Sequence, residues 1–263
     1  MQARNRTLQL KAGAVALSIL GSALCAAAMI RGALPPETAI PVRFVHTVDV
    51  YKAKPGDLIR AKTLQVITLP DGMELPKGTV VTGHVVEAQP LRLGPAGAEP
   101  QASRLSIHFD QIVHGDATLP VNLSVRALAN TLDSDDAENL HYIDESFVDP
   151  SVILIGGDEF SPLDKTIKGE DGQVIGYHRR QGVFAPLLDS YDDAPGSNLT
   201  CHATRTEQSV SIFSPRACGL YGFVDESLPH TGRRGSGTFT LESRDHSVTL
   251  YAGATALLQE TAH

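Results

Sequence analysis

The sequence predicts a mainly β protein, built as an antiparallel barrel or a sandwich-like pair of sheets. Three observations predict it. Apolar and polar residues alternate with a period of two, as where Leu105, Ile107 and Phe109 interleave with Ser106, His108 and Asp110. The stretch Thr79 to Val86 is rich in β-branched residues, which suit a pleated, half-buried surface. Turn chemistry recurs between such runs, and the 263 residues include 23 Gly and 16 Pro to supply it. A hydrophobic content of 42% is enough to bury a core and excludes a disordered chain.

The N-terminus carries an export pattern over residues 1–28. Arg4, Arg6 and Lys11 form a basic region, Ala12 to Ala28 is apolar and free of charge, and Ala26-Ala27-Ala28 supplies the small residues a signal peptidase reads. The same run is near the lower length for a membrane span, so a cleaved signal peptide and an N-terminal anchor both fit. Cys25 follows the bulky Leu24, which suits a lipobox badly. Cleavage before Met29 would move the net charge from −8 to −11, because it removes three cations. An acidic exported chain without a basic stripe is not expected to bind nucleic acid, and its membrane contact would run only through an uncleaved N-terminus.

Residues 29–39, with Pro35-Pro36, read as an extended linker. Residues 40–128 read as a β meander. Its turns are Lys54-Pro55-Gly56-Asp57, Pro70-Asp71-Gly72, Pro76-Lys77-Gly78 and His114-Gly115-Asp116-Ala117. In each, Gly supplies a positive φ, and Pro or Asp supports the reversal. Between them, Leu58 to Leu69, Thr79 to Val86, Arg104 to Val113 and Thr118 to Leu128 read as strands. Residues 129–199 read as an irregular acidic segment, broken by the apolar run Val152 to Ile155. Residues 200–260 return to β character, and the closing stretch from Val248 to Leu258 reads as strand, Gly turn, strand. That ending is either a second copy of one hairpin type or the partner that closes the barrel. The whole is thus two β blocks around an irregular acidic insertion.

Cys201 and Cys218 are the pair left after cleavage, and in an oxidising compartment they are expected to form a disulfide. Gly156 to Phe160 spells GGDEF, the signature of diguanylate cyclases, and implies two glycines in a nucleotide-approaching hairpin with Asp158 and Glu159 serving metal and catalysis. The amphipathic helices of that family are not evident on either side of Gly156. Asp133, Asp135, Asp136 and Glu138 resemble the start of a Ca²⁺ loop, but Glu138 occupies the position that requires Gly. His108 and His114 show no zinc spacing, and Ser236 lies outside any G-x-S-x-G elbow. Asn122 and Asn198 match glycosylation acceptors. No catalytic residue, metal ligand or cofactor is therefore assigned.

Residues 41–123 resemble the C-terminal β domain of TrbI-type proteins of conjugation and type IV secretion channels. The resemblance lies in Pro55-Gly56-Asp57, in Leu75-Pro76-Lys77-Gly78-Thr79 with Gly83, and in Arg104-Leu105 to Phe109 with Gly115. It implies a β-barrel-like domain in the cell envelope. The proline-rich linker and the helical pore projection of that family have no counterpart in this chain.

The expected function is a non-enzymatic, exported β-rich structural or binding module of the periplasm, envelope or exterior. Its expected partners are envelope proteins or polymers. A subunit of a TrbI-like apparatus is the alternative, and a nucleotide cyclase rests on the pentapeptide alone.

Overall fold

The computed structural model describes residues 34–69, 72–139, 150–229 and 237–261. The export pattern, Pro70-Asp71 and Ser236 lie outside these residues. Among the described residues, strand accounts for 49% and helix for 3%, which is the mainly β composition predicted.

The first half of the chain supplies β1 (Ala39–Phe44), β2 (Val48–Asp49), β3 (Leu58–Thr63), β4 (Ile67–Thr68), β5 (Glu74–Leu75), β6 (Val80–Gln89), β7 (Ser103–His114) and β8 (Ala117–Ala129). A short helix α1 (Thr131–Asp136) follows. Next come β9 (Val152–Ile153), β10 (Glu159–Ser161), β11 (Thr166–Lys168), β12 (Val174–Arg179), β13 (Gly182–Pro186), β14 (Ser190–Tyr191), β15 (Thr200–Cys201) and β16 (Glu207–Ser209). The chain ends with β17 (Gly219–Tyr221), β18 (Glu226–Ser227), β19 (Thr238–Ser243), β20 (Thr249–Leu250) and β21 (Thr255–Glu260).

Six strands close an antiparallel barrel in the order β1, β3, β6, β7, β8, β21, with β21 returning to β1. Closure removes the open edges that a meander would leave. The closing strand is the last in the chain: Ala39 lies opposite Gln259 and Arg43 opposite Thr255. Residues 255–260 therefore belong to the same barrel as residues 39–129.

Alternation builds the core as the sequence predicts. Ile40, Val42 and Phe44 of β1 point inward, as do Leu105, Ile107 and Phe109 of β7 and Leu119, Val121, Leu123 and Val125 of β8. Phe109 packs between Phe44 and Phe239, with ring centroids 5.9 Å and 6.4 Å away. Two small ribbons cap the barrel: β2 with β20 at one end, and β4 with β5 at the other.

The turns sit where Gly and Pro place them. Gly78 adopts φ +86°, its N–H donates to the Thr63 carbonyl at 2.8 Å, and the Thr79 hydroxyl donates to the Pro76 carbonyl at 2.7 Å. Gly83 has a different reason to be Gly. A Cβ there would lie 2.2 Å from the His108 carbonyl oxygen, so adjacent strands meet at this point only because it has none.

Residues 129–199, read as irregular, carry α1 and the strands β9 to β14. Strands β16, β13, β12, β11, β10 and β9 form a second, antiparallel sheet in that order. Most of these strands are only two or three residues long, too short to show alternation. The second sheet packs on the outside of the barrel, where Ala39, Ala127, Ala129 and Leu257 meet Ile167, Ala185 and Phe213. Three alanines on the barrel side let the layers approach closely. Gln65 joins them: its amide donates to the Val183 carbonyl and accepts from the Val183 N–H, each at 3.0 Å.

Candidate functional site

Pairing of β3 with β1 ends where the Val45 N–H donates to the Arg60 carbonyl at 3.0 Å. The chain then leaves the barrel wall, pairs β2 with β20, and returns at Gly56, whose N–H donates to the Val85 carbonyl at 2.8 Å. The outer side of β3 is left uncovered between departure and return. A cleft of about 600 Å³ opens there, lined among others by His46, Lys52, Asp57, Leu58, Arg60 and Tyr251. Leu58 and Tyr251 are 55% and 63% exposed, large values for apolar side chains beside a concave surface. Both carboxylates of the cleft are engaged by their own loop. Asp49 accepts from the Tyr51 N–H at 2.9 Å and faces Lys52 Nζ at 3.5 Å, and Asp57 accepts from the Lys54 N–H at 2.8 Å. Arg60 has no ion pair among the described residues. An apolar wall, an aromatic flank and an unengaged guanidinium make a surface suited to holding a partner.

Cys201 and Cys218 form a disulfide, as the sequence predicts. Cys201 ends β15, which pairs with β14. Cys218 precedes β17, which runs parallel to β8 with Gly219 opposite Ala127. The bond thus ties a peripheral ribbon to a strand laid against the barrel. Gly219 is required there, because at φ +88° a Cβ would lie 2.1 Å from Asp192 Cγ. The Tyr221 hydroxyl accepts from the Cys218 N–H at 2.9 Å and donates to its carbonyl at 3.2 Å. Burial pushes the Tyr221 phenol above its ordinary value.

Arg126 holds this block down, and the sequence reading missed it. In the pairing of β8 with β21, Val125 lies opposite Leu258 and Ala127 opposite Leu257, so Arg126 is the extra residue of a β-bulge. The bulge turns its side chain out of the barrel into a fully protein-lined site. The guanidinium donates to the carbonyls of Ala217 at 3.1 Å, His202 at 2.7 Å, Leu188, and Pro215 at 3.3 Å. Desolvation lowers its pKa to about 10, against smaller opposing effects of Tyr221 and Asp189. One signal of the bulge is in the sequence: the inward series 119, 121, 123, 125 resumes at Leu128 instead of 127.

Gly156 and Gly157 form the turn between β9 and β10, with φ of +103° and +98°. A Cβ on Gly156 would stand 3.0 Å from Ala217 Cα. Asp158 is buried, accepts from the Ser214 hydroxyl, and has Arg216 Nε 3.8 Å from its Oδ1. Burial raises its pKa, opposed by Ser214 and Arg216. Glu159 is exposed, so the two acids do not share a face. The pentapeptide follows β9 and runs into β10, which takes up Glu159 and Phe160, and its Asp serves the packing of the 214–217 loop.

The acidic segment does not converge either. Asn130 caps α1 by accepting from the Asp133 N–H at 2.8 Å, and Glu138 pairs with Arg43 at 2.9 Å. Among the described residues, no group of three or more His, Cys, Asp or Glu is placed to hold a metal. The Asn122 side chain bonds the Thr261 hydroxyl at 2.6 Å. His114 lies exposed at the end of β7, opposite Ala117.

No family model, curated protein or solved structure matches this chain.

Proposed function

We propose that this protein is an exported cell-envelope module that binds a partner at the β3 cleft and performs no chemistry. The observation that carries the reading is the Cys201–Cys218 disulfide together with its seating on Arg126. A buried disulfide of this kind suits an oxidising compartment, and the basic and apolar character of residues 1–28 suits export to one. The groups with shifted pKa support a non-catalytic role. Arg126 and Tyr221 are engaged by backbone, Asp158 by Ser214 and Arg216, Asp164 by the Thr166 hydroxyl and N–H, and Asp133 through its own N–H at the cap of α1. The exposed Leu58 and Tyr251 beside Arg60 are the surface assigned to an envelope protein or polymer.

The test is fractionation of a tagged chain with and without residues 1–28. The intact chain is expected in the periplasm, envelope or medium, and the shortened chain in the cytosol. Identical cytosolic fractionation of both would overturn the reading. A subunit of a TrbI-like apparatus is the rival, because residues 41–123 span five of the six barrel strands. Co-purification with a membrane ring complex would favour it, and a free monomer would count against it.

A further inference from the structure

The outer face of the barrel carries a second feature that the cleft does not use. His84 on β6 and His108 on β7 lie directly opposite one another in the strand register. Their rings are 5.4 Å apart between centroids, with an interplanar angle of 62°. Each ring is held by its Nδ1. His84 Nδ1 meets Asp110 Oδ2 at 3.0 Å, and His108 Nδ1 meets the Gly237 carbonyl at 3.1 Å, with the Thr238 hydroxyl at 3.4 Å. A carboxylate and a carbonyl can only accept, so both Nδ1 atoms carry the proton. In the neutral rings the free lone pair is therefore on Nε2 in both cases, and neither Nε2 makes a hydrogen bond among the described residues.

The Asp110 contact depends on a β-bulge. Thr82 lies opposite Gln111 and Gly83 opposite Phe109, so Asp110 is the unpaired extra residue. Phe109 and Ile112 both remain in the core, which puts Asp110 and Gln111 together on the outer side. Bulges of this kind re-aim a side chain beside a site. Here the bulge brings the carboxylate to His84.

We propose that His84 and His108 form a two-imidazole site for a divalent transition ion of the zinc and copper class. Metal-bound histidines almost always donate their second nitrogen to a carboxylate or backbone carbonyl, and both partners are in place. With Zn–N bonds of about 2.0–2.1 Å and a tetrahedral angle, two rings on one ion have centroids roughly 5 Å apart. The observed 5.4 Å is within reach of that spacing. Solvent completes the coordination, because no third His, Cys, Asp or Glu converges on the pair among the described residues. Imidazole ligands favour Zn²⁺, Cu²⁺ and Ni²⁺ over Mg²⁺ and Ca²⁺, which take oxygen ligands. The two residues lie 24 positions apart, so no sequence spacing reveals them.

The experiment is calorimetric titration of the full chain with Zn²⁺, Cu²⁺ and Mg²⁺, with electron paramagnetic resonance of the Cu²⁺ form. One Zn²⁺ or Cu²⁺ is expected at this site, with two nitrogens on copper and no Mg²⁺ binding. His84→Gln and His108→Gln are each expected to weaken the site at least tenfold and leave one nitrogen on copper. Asp110→Asn is expected to weaken it by about 10–100-fold while both nitrogens stay, and His114→Gln is expected to change nothing. Thermal melting of each variant shows that it is folded. No Zn²⁺ or Cu²⁺ binding, or unchanged affinity and nitrogen count in both histidine variants, overturns the proposal.

Discussion

Arg126 Nε donates to the Ala217 carbonyl at 3.1 Å, joining a bulge of the barrel to the loop that carries Cys218. The same guanidinium reaches His202, next to Cys201. One side chain therefore seats both ends of the disulfide on the barrel wall. Replacing it by Met would leave the carbonyls of Ala217, His202 and Leu188 without this donor. Arg126→Met is expected to cost about 3 kcal/mol or more, since each orphaned buried polar group costs about 1–3 kcal/mol. Arg126→Lys should lie between the two, because an ammonium cannot reproduce the planar fork. Urea unfolding monitored by circular dichroism measures both.

The disulfide itself closes a loop with a sequence separation of 17. Cys201→Ser with Cys218→Ser is expected to lower stability by about 3 kcal/mol through the entropy of the unfolded chain. The same loss should follow reduction of the native protein by dithiothreitol, with no further effect of reductant on the double variant.

Two glycines of the meander should respond differently to alanine. At Gly78 nothing lies within 4 Å of an added Cβ, so Gly78→Ala meets only the cost of a positive φ, about 1–2 kcal/mol. At Gly83 the Cβ would strike backbone at 2.2 Å. Gly83→Ala is expected to prevent formation of the β6–β7 pairing and to leave the protein insoluble or unfolded. Parallel expression and thermal melting of the two variants compare them directly.

Asp158 provides a pH test. Its carboxyl is raised above 3.8 chiefly by desolvation. A folded-state pKa above the unfolded one means the native state binds more protons in the interval between them, so stability falls as pH rises through that interval. Asp158→Asn removes this dependence and keeps an acceptor for Ser214. The stability of Asp158→Asn relative to the native protein is expected to increase as pH is raised from about 4 through the window. Denaturant unfolding at several pH values measures the difference.

The barrel was largely legible in the sequence. Strands β3, β6, β7 and β8 are long enough to show a period of two, and the turns at Gly56, Gly78 and Gly115 carry their own chemistry. Closure was left open by the sequence, because Ala39 and Gln259 meet across almost the whole chain and no local pattern pairs them. The second sheet was not legible. Strands such as β9 and β10 span two or three residues, and their burial depends on alanines of the barrel's outer face. The cleft was hidden for a related reason: Leu58 and Tyr251 come together through the pairing of β2 with β20. Arg126, Asp110 and His84 act through bulges and register, which exist only once strands are paired.

The most direct measurement is alkylation mass spectrometry of the native protein, trapped without reductant in the fraction where it accumulates. The account predicts recovery from an envelope or extracytoplasmic fraction, with Cys201 and Cys218 in one linked peptide that takes up alkylating agent only after reduction. A folded protein recovered from the cytosol with both thiols alkylated at the first step would contradict it.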